Sequence, residues 1–522
     1  MLLRRLFSFS LAMVLAAGLA AQAAPTGVSA DWHTLRTARA MDAARKQGPP
    51  ALQAFLGGMP KGADLHVHLS GAVYAESWLR AAGQDGLCID TGELRFAAPK
   101  PDGHCAAGQL AAAQMLATMQ QPASQSLYDK LIDSFSMRSF VPSAGWSGHD
   151  QFFATFSRFS GTRKSHTGEW IDEVASRAAV QNEQYLELMD TPGFSHAAQL
   201  AAKIGWDADL PALRQRLIDG GLFQEVEPAR AAVEDALHRR DQIEHCHTDR
   251  AQPGCTVTVR FLYQILRDFP PEQVFAQTLL GFETISRVPE FVGINFVQPE
   301  DAFYSMRDYT RQMQMLDYLH RLYPRVHISL HAGELAPGLV PPDGLRFHIR
   351  QAIQLGHAER IGHGVDVMNE DNAQALLKEM AAHHIMVEIN LTSNDVILGI
   401  RGRNHPLPQY LHAGVPVALS TDDEGVSRID LTHEYLRAAD EFNLGYLQLK
   451  QMARTSLEHD FLPGNSLWLQ ADRFSATVSA CARQPLGADK PTPPCRSYLD
   501  ANPRAAQQWE LERRFRVFEA QW

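Results

Sequence analysis

Short apolar, β-branched runs alternate with stretches of helical periodicity along most of this chain. Seven strand-like runs are predicted in its later part, at residues 184–189, 256–262, 291–297, 326–330, 360–365, 385–389 and 415–419. Helical patterns separate them, at residues 197–203, 225–240, 302–322, 344–355, 370–382 and 404–412. An eighth strand, at residues 63–69, comes before these seven. Strands that alternate with helices pair in parallel, so the pattern predicts repeated β/α units.

Eight such units predict an α/β fold, a (β/α)8 TIM barrel whose site lies at the carboxyl ends of the strands. We assign the barrel domain to residues 56–465, after an N-terminal helical extension at 24–55 and before a C-terminal helical extension at 466–522. An insertion follows the first strand at about 83–180 and is predicted to be mainly helical. The expected molecule is therefore a barrel with one large insertion and extra terminal helices.

The insertion contains an aromatic segment. After a predicted long helix at about 106–119, a second helix carries Phe152 and Phe156, which are four residues apart and share one face. An aromatic face of this kind forms either part of an ordinary core or a lid over an apolar pocket. The sequence leaves both interpretations open.

The first 23 residues are typical of a secretory signal peptide. Arg4 and Arg5 form a basic start, residues 11–21 are an unbroken apolar run, and residues 21–23 read Ala-Gln-Ala, a small-x-small cleavage site. A membrane span requires about 20 apolar residues, so no stable membrane anchor is expected after cleavage. We therefore expect an exported protein, periplasmic or secreted, and the twin arginine leaves the export route open.

The six cysteines fall into three local pairs: Cys88 with Cys105, Cys246 with Cys255, and Cys481 with Cys495. An even number of cysteines in close pairs favours disulfides formed in an oxidising compartment, which agrees with export. Each disulfide would close a loop of about 10 to 18 residues and stabilise the fold by roughly 3 kcal/mol in the chain-entropy model.

The overall charge argues against one class of partner. The formal net charge is −11, from 48 basic and 59 acidic residues. An acidic surface repels a phosphate backbone, so no nucleic-acid partner is expected.

Metal-binding side chains follow several predicted strands. His66 and His68 alternate with apolar residues on the first strand and therefore share one of its faces. His331 ends the fifth strand, and Asp422 follows the eighth. These residues can supply three nitrogens and one oxygen to zinc and leave an open position for water. Zinc would lower the pKa of that water towards 7.

Three further polar residues end the same strands. His363 lies between two glycines after the sixth strand, where it can orient or deprotonate a water molecule. Glu334 follows His331 by three residues and is free to act as an acid. Asp423 can accept a hydrogen bond from a substrate. Together these residues predict a hydrolytic site.

Five short motifs, taken in order, are similar to those of a known protein family. The segments at 59–61 (Met-Pro-Lys), 65–68 (Leu-His-Val-His), 331–334 (His-Ala-Gly-Glu), 360–364 (Arg-Ile-Gly-His-Gly) and 420–423 (Ser-Thr-Asp-Asp) occur in this order. In type and order they resemble the adenosine deaminase family of metal-dependent hydrolases. The resemblance covers about residues 55–465, and it is loose over 83–180.

The resemblance implies one zinc ion per chain, held by His66, His68, His331 and Asp422. It implies hydrolysis of adenosine, and of 2′-deoxyadenosine, to inosine and ammonia by zinc-hydroxide attack on purine C6. Glu334 would protonate N1, and His363 would assist the attacking water. Asp423 would bind N7. Phe152 and Phe156 resemble the aromatic lid of the family.

Three positions depart from the family pattern. Ser70 stands where adenosine-specific members have an aspartate near the ribose. Gln298 stands where they have a glycine whose backbone N–H meets the base, and Glu424 replaces a proline that often follows the two aspartates. These departures affect which purine fits more than whether hydrolysis occurs, so adenine, AMP and N6-modified adenine remain alternative substrates.

Other classes of protein fit less well. A two-metal barrel hydrolase generally has a bridging lysine near the fourth strand, and residues 291–297 contain none. A zinc deaminase of the other fold would need a Pro-Cys-x-x-Cys motif after its His-x-Glu, and none follows His357. A non-catalytic secreted nucleoside-binding protein would have a degraded site, whereas every expected ligand and acid is present here.

Overall fold

The computed structural model describes residues 32–522, so the expected signal peptide at 1–23 lies outside the described residues. The strands in chain order are β1 (Gly62–His68), β2 (Cys88–Asp90), β3 (Arg95–Ala97), β4 (Gln109–Ala111), β5 (Glu183–Asp190), β6 (Thr258–Leu266), β7 (Phe291–Val297), β8 (His327–Ala332), β9 (Arg360–His363), β10 (Met386–Ile389), β11 (Val417–Leu419), β12 (Trp468–Gln470) and β13 (Arg473–Thr477).

The α-helices in chain order are α1 (Trp32–Gln47), α2 (Pro49–Gly58), α3 (Leu69–Ala72), α4 (Ala75–Asp85), α5 (Ala112–Ala117), α6 (Pro122–Ser134), α7 (Gly148–Arg158), α8 (Thr167–Val180), α9 (Phe194–Ile204), α10 (Leu210–Asp219), α11 (Val226–Ile243), α12 (Pro271–Arg287), α13 (Phe303–Leu322), α14 (His348–Gln354), α15 (Ala373–Ala382), α16 (Leu391–Leu398), α17 (Leu407–Ala413), α18 (Glu424–Ser427), α19 (Leu431–Glu441), α20 (Tyr446–Glu458), α21 (Pro493–Ala501) and α22 (Pro503–Glu519).

Eight parallel strands form the barrel in the order β1-β5-β6-β7-β8-β9-β10-β11. A bridge between Val67 and Asp422 joins the first strand to the segment after the last. There the His68 N–H donates to the Asp422 carbonyl at 3.1 Å, and the Asp422 N–H donates to the His66 carbonyl at 2.9 Å. The predicted (β/α)8 TIM barrel is confirmed, and its closing contact lies within the expected metal site.

The barrel strands are buried on both faces, as parallel strands covered by helices are. All seven residues of β7 and all four residues of β9 are buried. The largest apolar cluster fills the barrel and the layer between strands and helices, and it includes Leu65, Ile328 and Val387. A rigid, fully packed set of strands therefore carries the side chains at the carboxyl rim.

The insertion between β1 and β5 contains α3 to α8 and a small antiparallel sheet in the order β3-β2-β4. The prediction of one long helix at about 106–119 is wrong. The three-residue strand β4 lies in the first half of this range, and the short helix α5 follows it. The insertion has an apolar cluster of its own, which includes Trp78, Phe135 and Phe159. It therefore forms a packed layer beside the barrel mouth.

Helices α1, α2, α20 and α22 pack together at the amino end of the barrel. The Arg514 guanidinium of α22 donates to the carbonyl of Glu183, the first residue of β5. The region at 466–522 was expected to be helical, but it begins with the antiparallel hairpin β12–β13. The domain boundaries at 24–55, 56–465 and 466–522 stay predictions.

Four barrel-side helices, α10, α12, α16 and α19, were not predicted. In α12 the eleven consecutive residues from Val274 to Thr284 are all buried. This helix packs on strands β6 and β7 on one side and on helices α9 and α13 on others.

The three expected cysteine pairs are disulfide-bonded, and they lie in the insertion, after α11 and in the C-terminal region. Within residues 32–522, no helix has both the length and the apolar character that crossing a bilayer would require.

Candidate active site

Four predicted metal ligands meet at the carboxyl rim of the barrel. His66 and His68 come from β1, His331 from β8, and Asp422 follows β11. Their four ligand atoms all lie within 4.8 Å of one another. The Nε2 atom of His331 is 3.1 Å from the Nε2 atoms of both His66 and His68. Asp422 Oδ1 lies 3.3 Å from His68 Nε2. Three of these four residues are buried, and His68 is partly exposed.

Each of the three imidazoles is fixed through its other nitrogen. Nδ1 of His66 donates to Glu388 at 2.6 Å, and Nδ1 of His331 donates to Asn295 at 2.7 Å. Nδ1 of His68 donates to Gln264 at 2.8 Å. An oxygen acceptor at Nδ1 places the proton there and leaves the Nε2 lone pair free, which is the usual arrangement of a metal-binding histidine.

This donor set fits a zinc ion. Three imidazole lone pairs directed at one point, with Nε2 atoms only 3.1 Å apart, repel one another unless a cation lies between them. Three nitrogens and a carboxylate oxygen form a typical ligand set of catalytic zinc sites. The second oxygen of Asp422 accepts from the Ser393 hydroxyl at 2.6 Å, which holds the carboxylate in place.

Two glycines allow the close approaches that this geometry requires. A Cβ atom at Gly362 would lie 2.5 Å from the His66 ring. A Cβ atom at Gly71 would lie 1.5 Å from Oδ1 of Asp423. No side chain fits at either position, so the backbone itself forms part of the wall around the site.

Glu334 lies beside the donor set. Its carboxylate is 3.6 Å from Nδ1 of His363, and its backbone N–H donates to Glu300 at 2.7 Å. Burial, together with the carboxylates of Asp422 and Glu300, raises the pKa of Glu334 well above its usual range. A protonated carboxylic acid in this position can donate a proton to a ligand.

His363 and Asp423 complete the rim. Burial lowers the pKa of His363 to about 3, so its imidazole is neutral, and its Nε2 is 3.9 Å from Asp422. Burial and the adjacent Asp422 raise the pKa of Asp423. Sequence reasoning treated Asp423 as an acceptor, whereas a protonated carboxyl can also donate. Within residues 32–522 neither Nε2 of His363 nor Oδ1 of Asp423 has a hydrogen-bond partner.

A cavity of about 560 Å³ opens onto these residues. Its inner wall includes His68, His331, Glu334, Asp422 and Asp423, and its outer wall is mostly aromatic. Phe152 and Phe156 both line it from α7. Phe152 is only 1% exposed and also belongs to the core of the insertion, whereas Phe156 is half-buried. Phe152 is therefore part of a core and Phe156 presents part of its ring to the cavity, while a lid over a bound ligand stays a prediction.

The three departures from the family pattern are accommodated locally. Ser70, in α3, lines the cavity. Gln298 has a φ of 83°, a conformation that favours glycine, and its side chain accepts from the Asp268 N–H at 2.8 Å. Both its side chain and its carbonyl are thus used within the protein, since the carbonyl accepts from the Arg267 guanidinium at 3.2 and 3.3 Å. Glu424 is buried and paired with Arg177 at 2.6 Å.

Sequence reasoning missed the residues that hold the site in position. Glu388, Asn295 and Gln264 fix the three imidazoles, and Glu300 holds the backbone at Glu334. A signal for two of them exists, because Glu388 and Asn295 are single polar residues inside apolar strands. A polar side chain at such a position is buried and therefore needs a specific partner.

Sequence comparison places the later part of the chain among known deaminases. The adenosine deaminase family model matches residues 226–469, a range that does not include His66 and His68. The adenosine deaminase of Klebsiella pneumoniae (strain 342) is 39% identical over 137 residues, which are 26% of this chain and 38% of that relative. The adenosine deaminase of Escherichia coli (strain SE11) is 38% identical over 137 residues, again 26% of this chain and 38% of that relative. The chain thus spans well under half the length of the curated relatives it matches.

Solved structures share the fold across nearly the whole chain. A Burkholderia ambifaria amidohydrolase with bound Zn is 17% identical, with a TM-score of 0.52 over 90% of this chain and 95% of that one. The Arabidopsis ADAL protein complexed with GMP is 21% identical, with a TM-score of 0.50 over 78% of this chain and 94% of that one. Identities this low show the fold alone. Residues 226–469 are thus similar to the adenosine deaminase family, and the chain has the barrel fold of these solved structures.

Proposed function

We propose that this protein is a zinc-dependent aminohydrolase that deaminates adenosine and 2′-deoxyadenosine to the corresponding inosines and ammonia. The observation that carries the proposal is the convergence of three imidazole Nε2 atoms and one carboxylate oxygen within 4.8 Å, beside Glu334 and His363. The match of residues 226–469 to the adenosine deaminase family model supports it.

One zinc ion per chain would be held by His66, His68, His331 and Asp422. A bound zinc ion would make a water molecule available as a nucleophile near neutral pH. The carboxylate of Glu388 and the amide oxygens of Asn295 and Gln264 would keep the imidazoles directed at the ion.

Three residues of the chain would then transfer protons or donate a hydrogen bond. Glu334 donates a proton to purine N1, which makes C6 electrophilic, and the protonated Asp423 donates a hydrogen bond to N7. Neutral His363 accepts a proton from the water that adds to C6. The amino group then gains the proton that His363 took from the water, the C6–N6 bond breaks and ammonia leaves. The C6 hydroxyl becomes the carbonyl as its proton passes to Glu334, which restores the acid. The buried, low-dielectric cavity strengthens each of these interactions.

The decisive experiment is deamination followed by ultraviolet absorbance, with the mature, zinc-loaded protein. Adenosine, 2′-deoxyadenosine, adenine and AMP would be offered separately, and Glu334→Gln is the matched control because it keeps the size of the side chain. We expect conversion of adenosine and a loss of about 10²- to 10⁴-fold in kcat for the control, the usual contribution of a general acid. Absence of turnover of all four purines with zinc bound would refute the proposal.

A second candidate is a related deaminase that acts on another purine, such as adenine, AMP or an N6-modified adenine. The observation that favours it is Ser70, which offers no carboxylate to a ribose hydroxyl. The same assay with an N6-modified adenine added separates the two, because adenosine would then be a poorer substrate than adenine, AMP or the N6-modified compound.

We also propose that the protein is exported to the periplasm or secreted. The three disulfides support this, since such bonds persist in oxidising compartments. Expression of the full chain followed by cell fractionation tests it. Recovery of a full-length, reduced protein from the cytoplasm would contradict export.

A further inference from the structure

The outer half of the cavity has an aromatic wall made of Trp78, Phe153, Phe156, Phe159 and Trp170. The rings of Trp78 and Phe159 are stacked, with centroids 4.7 Å apart and planes at 11°. Trp170 packs on Trp78 at 4.4 Å between centroids. Phe153, Phe156 and Trp170 are each half-buried, so part of each ring is open to the cavity. The wall therefore offers ring surface that the protein does not itself cover.

The position of this wall relative to Glu334 follows from the barrel topology. Ser70 lies in α3 directly after β1, and Trp78 lies in α4, the next helix. Trp170 lies in α8, immediately before β5, the neighbour of β1. Glu334 follows β8, which is four strands away from β1 and hence on the opposite side of the eight-strand ring. A purine with N1 at Glu334 would therefore direct its sugar towards Ser70 and the aromatic wall.

The charges around the cavity disfavour a phosphate at that end. Among the described residues that line it, Lys164 is the single cationic side chain. Its ammonium already donates to the carbonyls of Thr191 and Pro192, at 3.3 and 3.1 Å. The acidic residues of the cavity, Glu334, Asp422 and Asp423, lie on its inner wall, away from the sugar end. A dianionic group at the sugar end would therefore find no guanidinium to pair with.

We propose that the aromatic wall binds an uncharged, apolar group on the sugar end of the substrate, in place of a phosphate or a free hydroxyl. The preferred substrate class is then adenine nucleosides with an apolar 5′ substituent, such as a 5′-thioether. This inference rests on the proposed deaminase function. Ser70 is consistent with it, because a short neutral side chain leaves room beside the sugar and does not require a hydroxyl donor.

The test is a comparison of kcat/KM for three nucleosides and one nucleotide with the zinc-loaded protein: adenosine, 5′-deoxyadenosine, 5′-deoxy-5′-(methylthio)adenosine and AMP. We expect the thioether to exceed adenosine by about tenfold or more, the selectivity that one apolar group gains in a hydrophobic pocket. AMP should be the poorest of the four.

The variant Trp170→Ala shows whether the wall is responsible. The ratio of kcat/KM for the thioether to that for adenosine should fall towards one, and this ratio does not depend on how much of a preparation is folded. Trp170→Phe should retain most of it. Trp32→Ala is the matched control, because Trp32 is 60% exposed on α1 and distant in sequence from the cavity.

The outcomes are distinguishable. If the protein prefers adenosine or AMP to the thioether, the apolar-group inference is wrong and the deaminase function stands. The same holds if Trp170→Ala leaves the ratio of the two kcat/KM values, thioether to adenosine, unchanged. If none of the four compounds is turned over, both the deaminase function and this inference are wrong.

Discussion

Glu388 illustrates how one buried side chain fixes a ligand on a distant strand. It lies on β10, and its Oε2 accepts from Nδ1 of His66 on β1 at 2.6 Å. Its other oxygen accepts from the Ser329 hydroxyl at 2.9 Å and pairs with Arg360 at 2.7 Å. Both oxygens of Glu388 therefore have partners that hold the carboxylate in place. Because one of them accepts from Nδ1 of His66, the orientation of that imidazole depends on this carboxylate.

We expect Glu388→Gln to weaken zinc binding by about 10- to 100-fold, because the amide has only one oxygen and no charge to hold the Nδ1 proton. Competition with a chelator of known affinity measures the change. The exposed Glu227 provides the control, Glu227→Gln, which should bind zinc as the unchanged protein does. Equal affinity of Glu388→Gln and the unchanged protein would show that His66 is oriented by other contacts.

Gly71 acts at the same scale through its lack of a side chain. In Gly71→Ala the new methyl would overlap Oδ1 of Asp423, from which it would be only 1.5 Å away. Asp423 would have to move out of its position, so we expect a loss in kcat/KM of at least about 100-fold, the effect of misplacing a group by about 1 Å. Bound zinc should be retained.

Steady-state kinetics and metal analysis of the same preparation check this result. Gly57→Ala is the matched control, since a Cβ atom there meets nothing within 4 Å. Activity near that of the unchanged protein in Gly71→Ala would mean that Asp423 has no role in turnover.

At the scale of elements, α7 is fixed at its amino end. Ser147 and Asp150 form a capping box, and a Cβ atom at Gly148 would lie 2.0 Å from the Val396 carbonyl of α16. His149 is paired with Asp301, beyond β7, at 3.0 Å. The helix that carries Phe152 and Phe156 is therefore tied to two sides of the barrel mouth.

A pair of acidic side chains joins α8 to the end of α11. Burial and the adjacent Glu244 raise the pKa of Asp172 to about 7. Between about pH 4 and pH 7 the folded chain therefore retains a proton that the unfolded chain releases, so stability falls as the pH rises through this range.

We expect Asp172→Asn to reduce this fall, because an amide does not titrate. Thermal unfolding at several pH values between 4 and 8 measures it as a smaller decrease in Tm than in the unchanged protein. Asp249→Asn, at an exposed residue of the nearby disulfide loop, should retain the full decrease. Identical pH profiles for all three proteins would contradict the assignment to Asp172.

The sequence predicted the barrel well because each strand is a short apolar run between polar turns; the predicted 291–297 coincides with β7. It also predicted which residues meet at the rim, since the carboxyl ends of parallel strands share one edge. It did not predict α12, which is buried all round, or the sheet of the insertion, whose strands are three residues each. The contact between His66 and Glu388 could not be predicted, because the two residues are 322 positions apart and no local sequence pattern links them.

At the scale of the whole molecule, the two ends of the barrel have different tasks. The reactive residues lie at the carboxyl end, and the C-terminal helices close the amino end. The disulfide between Cys481 and Cys495 belongs to a small apolar cluster with Leu467 and Trp509, which packs on α22. This disulfide therefore lies at the end of the barrel opposite the candidate active site.

We expect the double substitution Cys481→Ser and Cys495→Ser to lower the free energy of unfolding by about 3 kcal/mol, since it frees a loop of roughly 15 residues in the unfolded chain. Denaturant unfolding measures this loss. The kcat of the folded variant should be unchanged, because the loop packs at the end opposite the rim. A reduced kcat at full folding would show that the two ends are coupled.

The aromatic wall and the metal ligands come from different parts of the chain. The ligands and acids follow barrel strands, whereas Phe153, Phe156, Phe159 and Trp170 belong to the continuous stretch at 83–180. Exchange of that one stretch by recombination would give the same reactive rim a new wall. Under the proposed function, such an exchange would change the range of accepted nucleosides and leave the residues of the rim as they are.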